Sequence, residues 1–145
     1  MRRFRDDRGV GWREEGERFI SCAVEEFERG GREGRDEVIR DAAEKAWLAV
    51  VKAVEALLLA KGFSEDEVET YRQKRLALDR LAQADPEVRR LGLRDRFAAR
   101  EYNLHIRAFY DGEYVVEALR EEMGKAERLI EDILSLIGRG GKMTF

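Results

Sequence analysis

The sequence predicts an all-α protein, an antiparallel bundle of about five helices forming one domain over residues 1–145, on three observations. Apolar residues recur at three- and four-residue spacing over several long segments, which places them on one face of a helix. No segment alternates apolar and polar residues with the period of two that a half-buried strand requires. The breaks between periodic segments carry helix stops and caps, and no internal repeat or linker divides the chain.

Each element follows from its residues. Residues 1–11 are charged, contain Gly9 and Gly11, and are expected to fray. The first helix should run from about Trp12 to Arg29, with Phe19, Ile20, Ala23, Val24 and Phe27 on one face, and stop at Gly30, Gly31 and Gly34. The second begins with Asp36 as its cap and carries Val38, Ile39, Ala42, Ala46, Val50, Ala53, Val54 and Leu57. Trp47, Val51 and Leu58 widen that face, so this helix should be covered on more than one side. Lys61-Gly62-Phe63 ends it with a glycine and a following hydrophobic contact.

Ser64 and Glu67 then read as a capping box for a third helix reaching about Ala84. Asp85-Pro86-Glu87 places a cap and a first-turn proline at the start of a short helix to about Leu91. The next helix should run from about Leu93 to Tyr110 and stop at Asp111-Gly112. The last should run from about Glu113 to Ile137, with Val115, Leu119, Ala126, Leu129, Ile130, Ile133 and Ile137 on one face. Gly138-Arg139-Gly140-Gly141 should close it, leaving residues 138–145 as a flexible terminus.

Composition narrows the function classes. With 28 basic and 31 acidic residues the net charge is −3, so nothing draws the whole protein to nucleic acid and any such contact needs a local basic patch. No apolar run approaches the ~18 residues of a membrane helix, and the basic start has no apolar stretch behind it, which points to a cytoplasmic protein with no membrane partner. One cysteine and one histidine cannot build a Cys/His zinc site within one chain, no Glu-x-x-His di-iron pattern precedes His105, and no phosphate loop follows a strand. We therefore expect no metal and no cofactor. High charge with one Asn, two Gln and one Cys is the composition of a thermophile protein.

One segment carries possible chemistry: Arg100-Glu101-Tyr102-Asn103-Leu104-His105. An imidazole titrates near neutrality and can take the proton of a ribose 2′-hydroxyl, while a guanidinium stabilises charge on phosphate oxygens. That pair would cut RNA without a metal. Tyr102 or Tyr110 would stack a base, and Asn103 would bond a phosphate. The alternative is structural: His105 lies one turn after Glu101, and a surface Glu–His pair with packing tyrosines explains the same residues. On an ideal helix Arg100 and His105 project roughly 140° apart, so they do not face each other within one helix unless the long Arg wraps around, and two subunits meeting along this helix could bring the pairs together. The helix has two apolar arcs, one of Leu93, Phe97, Leu104 and Ala108, the other of Ala98, Tyr102, Ile106 and Phe109. The first suits the core. The second would be covered either by a second copy, giving a homodimer, or by the first helix through Phe19 and Phe27.

Two stretches resemble a known group. Ala42-Ala43-Glu44-Lys45-Ala46-Trp47 through Leu57 is similar to the long central helix of the archaeal PaREP group of the HEPN superfamily. Leu104-His105 followed by Phe109-Tyr110-Asp111-Gly112 and an amphipathic last helix is similar to the same group, and the whole covers roughly residues 17–137. The resemblance implies an antiparallel helical bundle that often dimerises. HEPN proteins that cut RNA carry Arg, four to six residues, then His, a pattern matched by Arg100 and His105, although Glu101 stands where a small polar residue is common. Two functions follow as expectations: an RNA-binding, metal-independent endoribonuclease acting as a dimer, or a non-catalytic helical interaction module whose partner surface is its function.

Overall fold

A helix that is apolar nearly all round must be enclosed by others, and the second helix sets the plan. The computed structural model describes residues 10–140. In it α2 (Asp36–Ala60) has no exposed surface at Ala42, Ala43, Ala46, Trp47, Val50, Leu57 or Leu58. Around it pack α1 (Val10–Glu33), α3 (Tyr71–Ala84), α5 (Leu93–Arg100) with the π-helical segment π1 (Glu101–Tyr110) that continues it, and α6 (Val116–Gly140). The short α4 (Pro86–Arg90) packs on α3 and α5. The predicted all-helical bundle is what forms, and no strand occurs among the described residues.

The ends of the helices differ from expectation in ways the packing explains. α1 begins at Val10, not Trp12, and runs through Gly30 and Gly31 to Glu33. Gly30 does not stop the helix; a Cβ there would lie 2.9 Å from Val38 and 3.0 Å from Ile39, so the glycine lets α2 approach α1 closely. The turn itself falls at Gly34, in the left-handed region at φ 66°. There Arg35 N–H donates to Gly30 C=O at 3.0 Å, a 6→1 closure of the last turn. Asp36 does not cap α2: Arg35 holds that position, and the Asp36 carboxylate instead accepts the Tyr114 hydroxyl from the connection that leads into α6. The end of α2 is as predicted, with Gly62 at φ 104° and Phe63 N–H on Leu58 C=O at 3.1 Å.

The helix predicted from Ser64 to Ala84 is two pieces. Ser64 N–H does bond the Glu67 carboxylate at 2.8 Å, but this box closes only a short 3₁₀ turn, Glu65–Glu67. A second box follows, in which Thr70 Oγ1 accepts Gln73 N–H at 3.0 Å and Gln73 Oε1 accepts Thr70 N–H at 3.0 Å. Between them Val68 turns fully into the core. The carbonyls freed by the break are taken by Lys74, whose Nζ donates to Val68 C=O at 2.6 Å and Glu69 C=O at 3.2 Å. Lys74 is buried, and desolvation holds its ammonium below the usual lysine range.

Asp85 caps α4 through Glu87 and Val88 N–H with Pro86 in the first turn, as expected. The last helix starts at Val116, three residues later than predicted, and Val115 is 67% exposed instead of facing the core. Gly138 does not close it, since α6 reaches Gly140; residues 1–9 and 141–145, where fraying was expected, lie outside the described residues. Its remaining predicted face holds, with Leu119, Ala126, Leu129, Ile130 and Ile133 buried and Ile137 packed against them.

Trp47 is the centre of this arrangement. It is fully buried, with ring centroids 5.0 Å from Phe97, 5.3 Å from Tyr71 and 5.8 Å from His105, so it joins α2 to α3, α5 and π1. Trp47→Ala should cost about 3–5 kcal/mol of stability, read from the urea midpoint, as large-to-small core changes do. A loss below about 1 kcal/mol would mean the bundle does not depend on this contact.

Candidate functional site

The chain from Leu93 to Tyr110 is a single rod whose geometry changes at Glu101. Up to Arg100 it is α-helical; from Glu101 to Tyr110 it is a π-helix, and at its end Asp111 N–H bonds Ile106 C=O, five residues back, at 2.9 Å. Such segments are rare and are enriched at functional sites. The buried arc is as predicted, with Leu93, Phe97, Leu104 and Ala108 all 1% exposed or less. The end of π1 is held from α2: Arg40 Nε and Nη2 donate to Phe109 C=O at 3.1 and 2.9 Å, and Nη2 also to Tyr110 C=O at 2.9 Å. Gly112, at φ 63°, passes beside this guanidinium, where a Cβ would come within 2.9 Å of Arg40 Nη1.

His105 projects from π1 toward α2. Its Nδ1 lies 2.8 Å from Glu44 Oε1, and the pair is largely shielded, with side-chain exposures of 15% and 19%. The predicted Glu101–His105 pair does not form; Glu101 bonds Arg75 of α3 at 3.0 Å instead. A carboxylate only accepts, so the geometry assigns the ring proton to Nδ1 and leaves the Nε2 lone pair free. Aromatic rings wall the imidazole: Trp47 tilted at 5.8 Å, Tyr71 edge-on at 5.5 Å, Tyr110 edge-on at 5.0 Å and Phe109 stacked at 6.4 Å. Burial pushes the Tyr71 phenol above its ordinary range, and the charges of Glu44 and Glu101 add to that. The Trp47 indole N–H opposes the rise, although it makes no hydrogen bond of good geometry.

Arg100 faces the other way. Its side chain is 6% exposed, and its guanidinium engages Glu122 of α6 through Nη2 at 2.7 Å and Nε at 3.0 Å. Within one chain, then, the two predicted catalytic residues serve different neighbours, α2 for His105 and α6 for Arg100. Of the supporting residues, Tyr110 reaches the His105 ring and is 63% exposed, Tyr102 is 55% exposed, and Asn103 accepts a long bond from Arg107 at 3.4 Å. Sequence reasoning did not single out Glu44 or Arg40 for these roles. Their signal was a charged residue within the most apolar helix, Glu44 lying one turn before Trp47.

The second arc is uncovered. Ala98, Tyr102, Ile106 and Tyr110 are exposed at four-residue spacing, while Phe109 is half-buried against His105. The first helix does not cover them: Phe27 is fully buried, and α1 packs on α2 and α6. A groove of about 600 Å³ lies elsewhere, among Gly16, Phe19, Cys22, Ala53 and Ile130, with an apolar lining and charges only at its rim. No group of His, Cys, Asp and Glu able to hold a metal occurs among the described residues, and no helix there is long and apolar enough to cross a membrane.

Fold and site together define an all-helical bundle protein with a largely shielded carboxylate–imidazole pair at the junction of its central helix and a π-helix. The chain belongs to the archaeal PaREP1/PaREP8 family, whose model matches residues 18–130. Searches of curated proteins and of solved structures gave no match.

If Glu44 fixes the ring, nitrogen NMR at about pH 8, where an ordinary imidazole is neutral, will show the proton on Nδ1. Glu44→Ala should move it toward Nε2. A wild-type proton on Nε2 would contradict the assignment.

Proposed function

We propose that this protein is a helical interaction module that works as a homodimer through the exposed arc of α5 and π1. The observation that supports this reading is the stripe Ala98, Tyr102, Ile106 and Tyr110, apolar, open to solvent and aligned at four-residue spacing along one rod, whereas the other exposed large apolar residues, Leu48, Leu76 and Val115, lie on separate elements. Soluble proteins seldom leave a contiguous apolar patch open, and a two-fold axis is the commonest way for a patch to cover itself. The stripe is self-complementary about a point midway between Tyr102 and Ile106. Two rods crossing antiparallel there set Tyr102 against Ile106 of the second copy and small Ala98 against large Tyr110. The same axis sets Glu101 opposite Arg107, so the flanking charges attract. Light scattering on wild type and Ile106→Glu tests this: a dimer that the charge splits into folded monomers is expected. A wild type that is monomeric at micromolar concentration would overturn it.

A second reading is favoured by the His105–Glu44 pair. A carboxylate holding Nδ1 and leaving Nε2 free is the arrangement of a general base. In this reading the protein is a HEPN-type, RNA-binding endoribonuclease that needs no metal, with His105 moving the 2′-hydroxyl proton, Arg100 of the second copy holding the phosphate, and Tyr102, Asn103 and Tyr110 lining the RNA. Two observations count against it: His105 is enclosed by rings, and Arg100 is turned toward α6 while His105 is turned toward α2. Incubation with total RNA in chelator decides the matter. The interaction module predicts no cleavage by wild type or His105→Ala, whereas cleavage by wild type that His105→Ala abolishes would make the ribonuclease the better reading.

A further inference from the structure

Arg100, which the RNA-cleavage pattern assigned to a pair with His105, belongs to a different cluster. Between α5 and α6 runs a groove of about 320 Å³ lined by Asp95, Arg96, Ala99, Arg100, Lys125 and Arg128. Four cations and one carboxylate face it, in a chain whose net charge is −3, so overall composition does not account for the cluster. We propose that this groove binds a phosphoryl group, with Arg100 as its floor.

The carboxylates that hold the cations lie outside the lining. Glu122 engages Nε and Nη2 of Arg100, and Asp132 holds Arg96 at 2.9 Å. Nη1 of Arg100 is left without a hydrogen-bond partner among the described residues, on a side chain that is 6% exposed and borders the groove. A buried, immobilised guanidinium with a donor to spare is preorganised for an anion, since the rotamer entropy is already lost. Lys125 stands 3.6 Å from Glu122, and Arg128 makes no ion pair among the described residues, so two further charges are available at the rim. Arg128 lies back along α6 beside Gly124, its Nη1 3.6 Å from where a Cβ would stand.

The number of cations selects the ligand class. One guanidinium fork satisfies a carboxylate, whereas a phosphoryl dianion uses several donors around its oxygens. A volume near 320 Å³ is at the small end of ligand sites and admits a phosphate or diphosphate, not a large apolar ligand. The groove is independent of the proposed dimer. Arg100 follows Ala98 by two positions, which turns it about 200° around the rod from the exposed arc, so the site stays open when the arc is covered. The phosphoryl group could come from a nucleic-acid backbone or from a free phosphorylated compound; the groove's chemistry is the same for both.

Calorimetric titration of the whole protein with pyrophosphate, and separately with a short single-stranded RNA, tests the proposal. The variants are Lys125→Gln/Arg128→Gln, both exposed positions, and Arg18→Gln on α1 as a control away from the groove. Circular dichroism checks that each is folded. Saturable pyrophosphate binding is expected in wild type, weakened about tenfold or more in the double variant and unchanged in Arg18→Gln. RNA that competes with pyrophosphate for the wild type makes a nucleic-acid backbone the source, and RNA that does not compete makes it a free phosphorylated compound. No saturable binding of either probe, or an equal loss in the Arg18 control, overturns the site.

Discussion

The enclosure of α2 is the constraint on which the rest depends. Its burial leaves only a narrow stripe through Asp41, Leu48 and Lys52 to solvent, so α1, α3, π1 and α6 are each placed by the part of α2 they cover. Alanines along it, Ala42, Ala43, Ala46, Ala49 and Ala53, let neighbouring backbones come close, and Trp47 fills the junction with α3, α5 and π1. Gly30 acts in the same way from the other side, because any side chain there would strike Val38 and Ile39. Dense packing of this kind tolerates little change in volume.

Enclosing such a helix brings polar groups inside, and most are matched to a partner, the Trp47 indole N–H being an exception. Lys74 takes the carbonyls of the broken segment at Val68, Arg40 takes those at the end of π1, Arg100 pairs with Glu122, and His105 pairs with Glu44. A buried pair roughly cancels its own desolvation cost, but breaking it leaves one charge stranded at a cost of several kcal/mol, about 3–5. These contacts therefore specify the arrangement more than they stabilise it. They also explain the π-helix in part: its last carbonyls are bonded by Arg40 of α2, not by another turn of the rod.

The same commitments separate the two residues that one sequence pattern joins. His105 is oriented toward the central helix and Arg100 toward the last one. The rod thus presents three surfaces with different chemistry: an aromatic-walled imidazole on one side, a cationic groove on another and an apolar arc on the outside. The outer arc supports assembly, and the groove supports anion binding, without either requiring catalysis.

The sequence by itself determined the fold class, the order of helices and the core faces of α1, α2, α5 and α6, because helical periodicity and capping chemistry act over a few residues. The end of α2 at Gly62, the Asp85-Pro86 start of α4 and the buried arc of Leu93, Phe97, Leu104 and Ala108 were all legible in this way. The exposed arc was legible as a second apolar face, though not which of the two candidate covers would meet it. Only tertiary structure decided the rest. Gly30 sits inside a helix because α2 passes against it, and the Ser64 box closes one turn because Val68 is drawn into the core. Glu101 prefers Arg75 to His105, and Glu44, 61 positions away in sequence, holds the imidazole. Local signals record what a residue prefers among its near neighbours. Which distant side chain meets it depends on how whole helices are pressed together, and that is settled by the enclosure of α2.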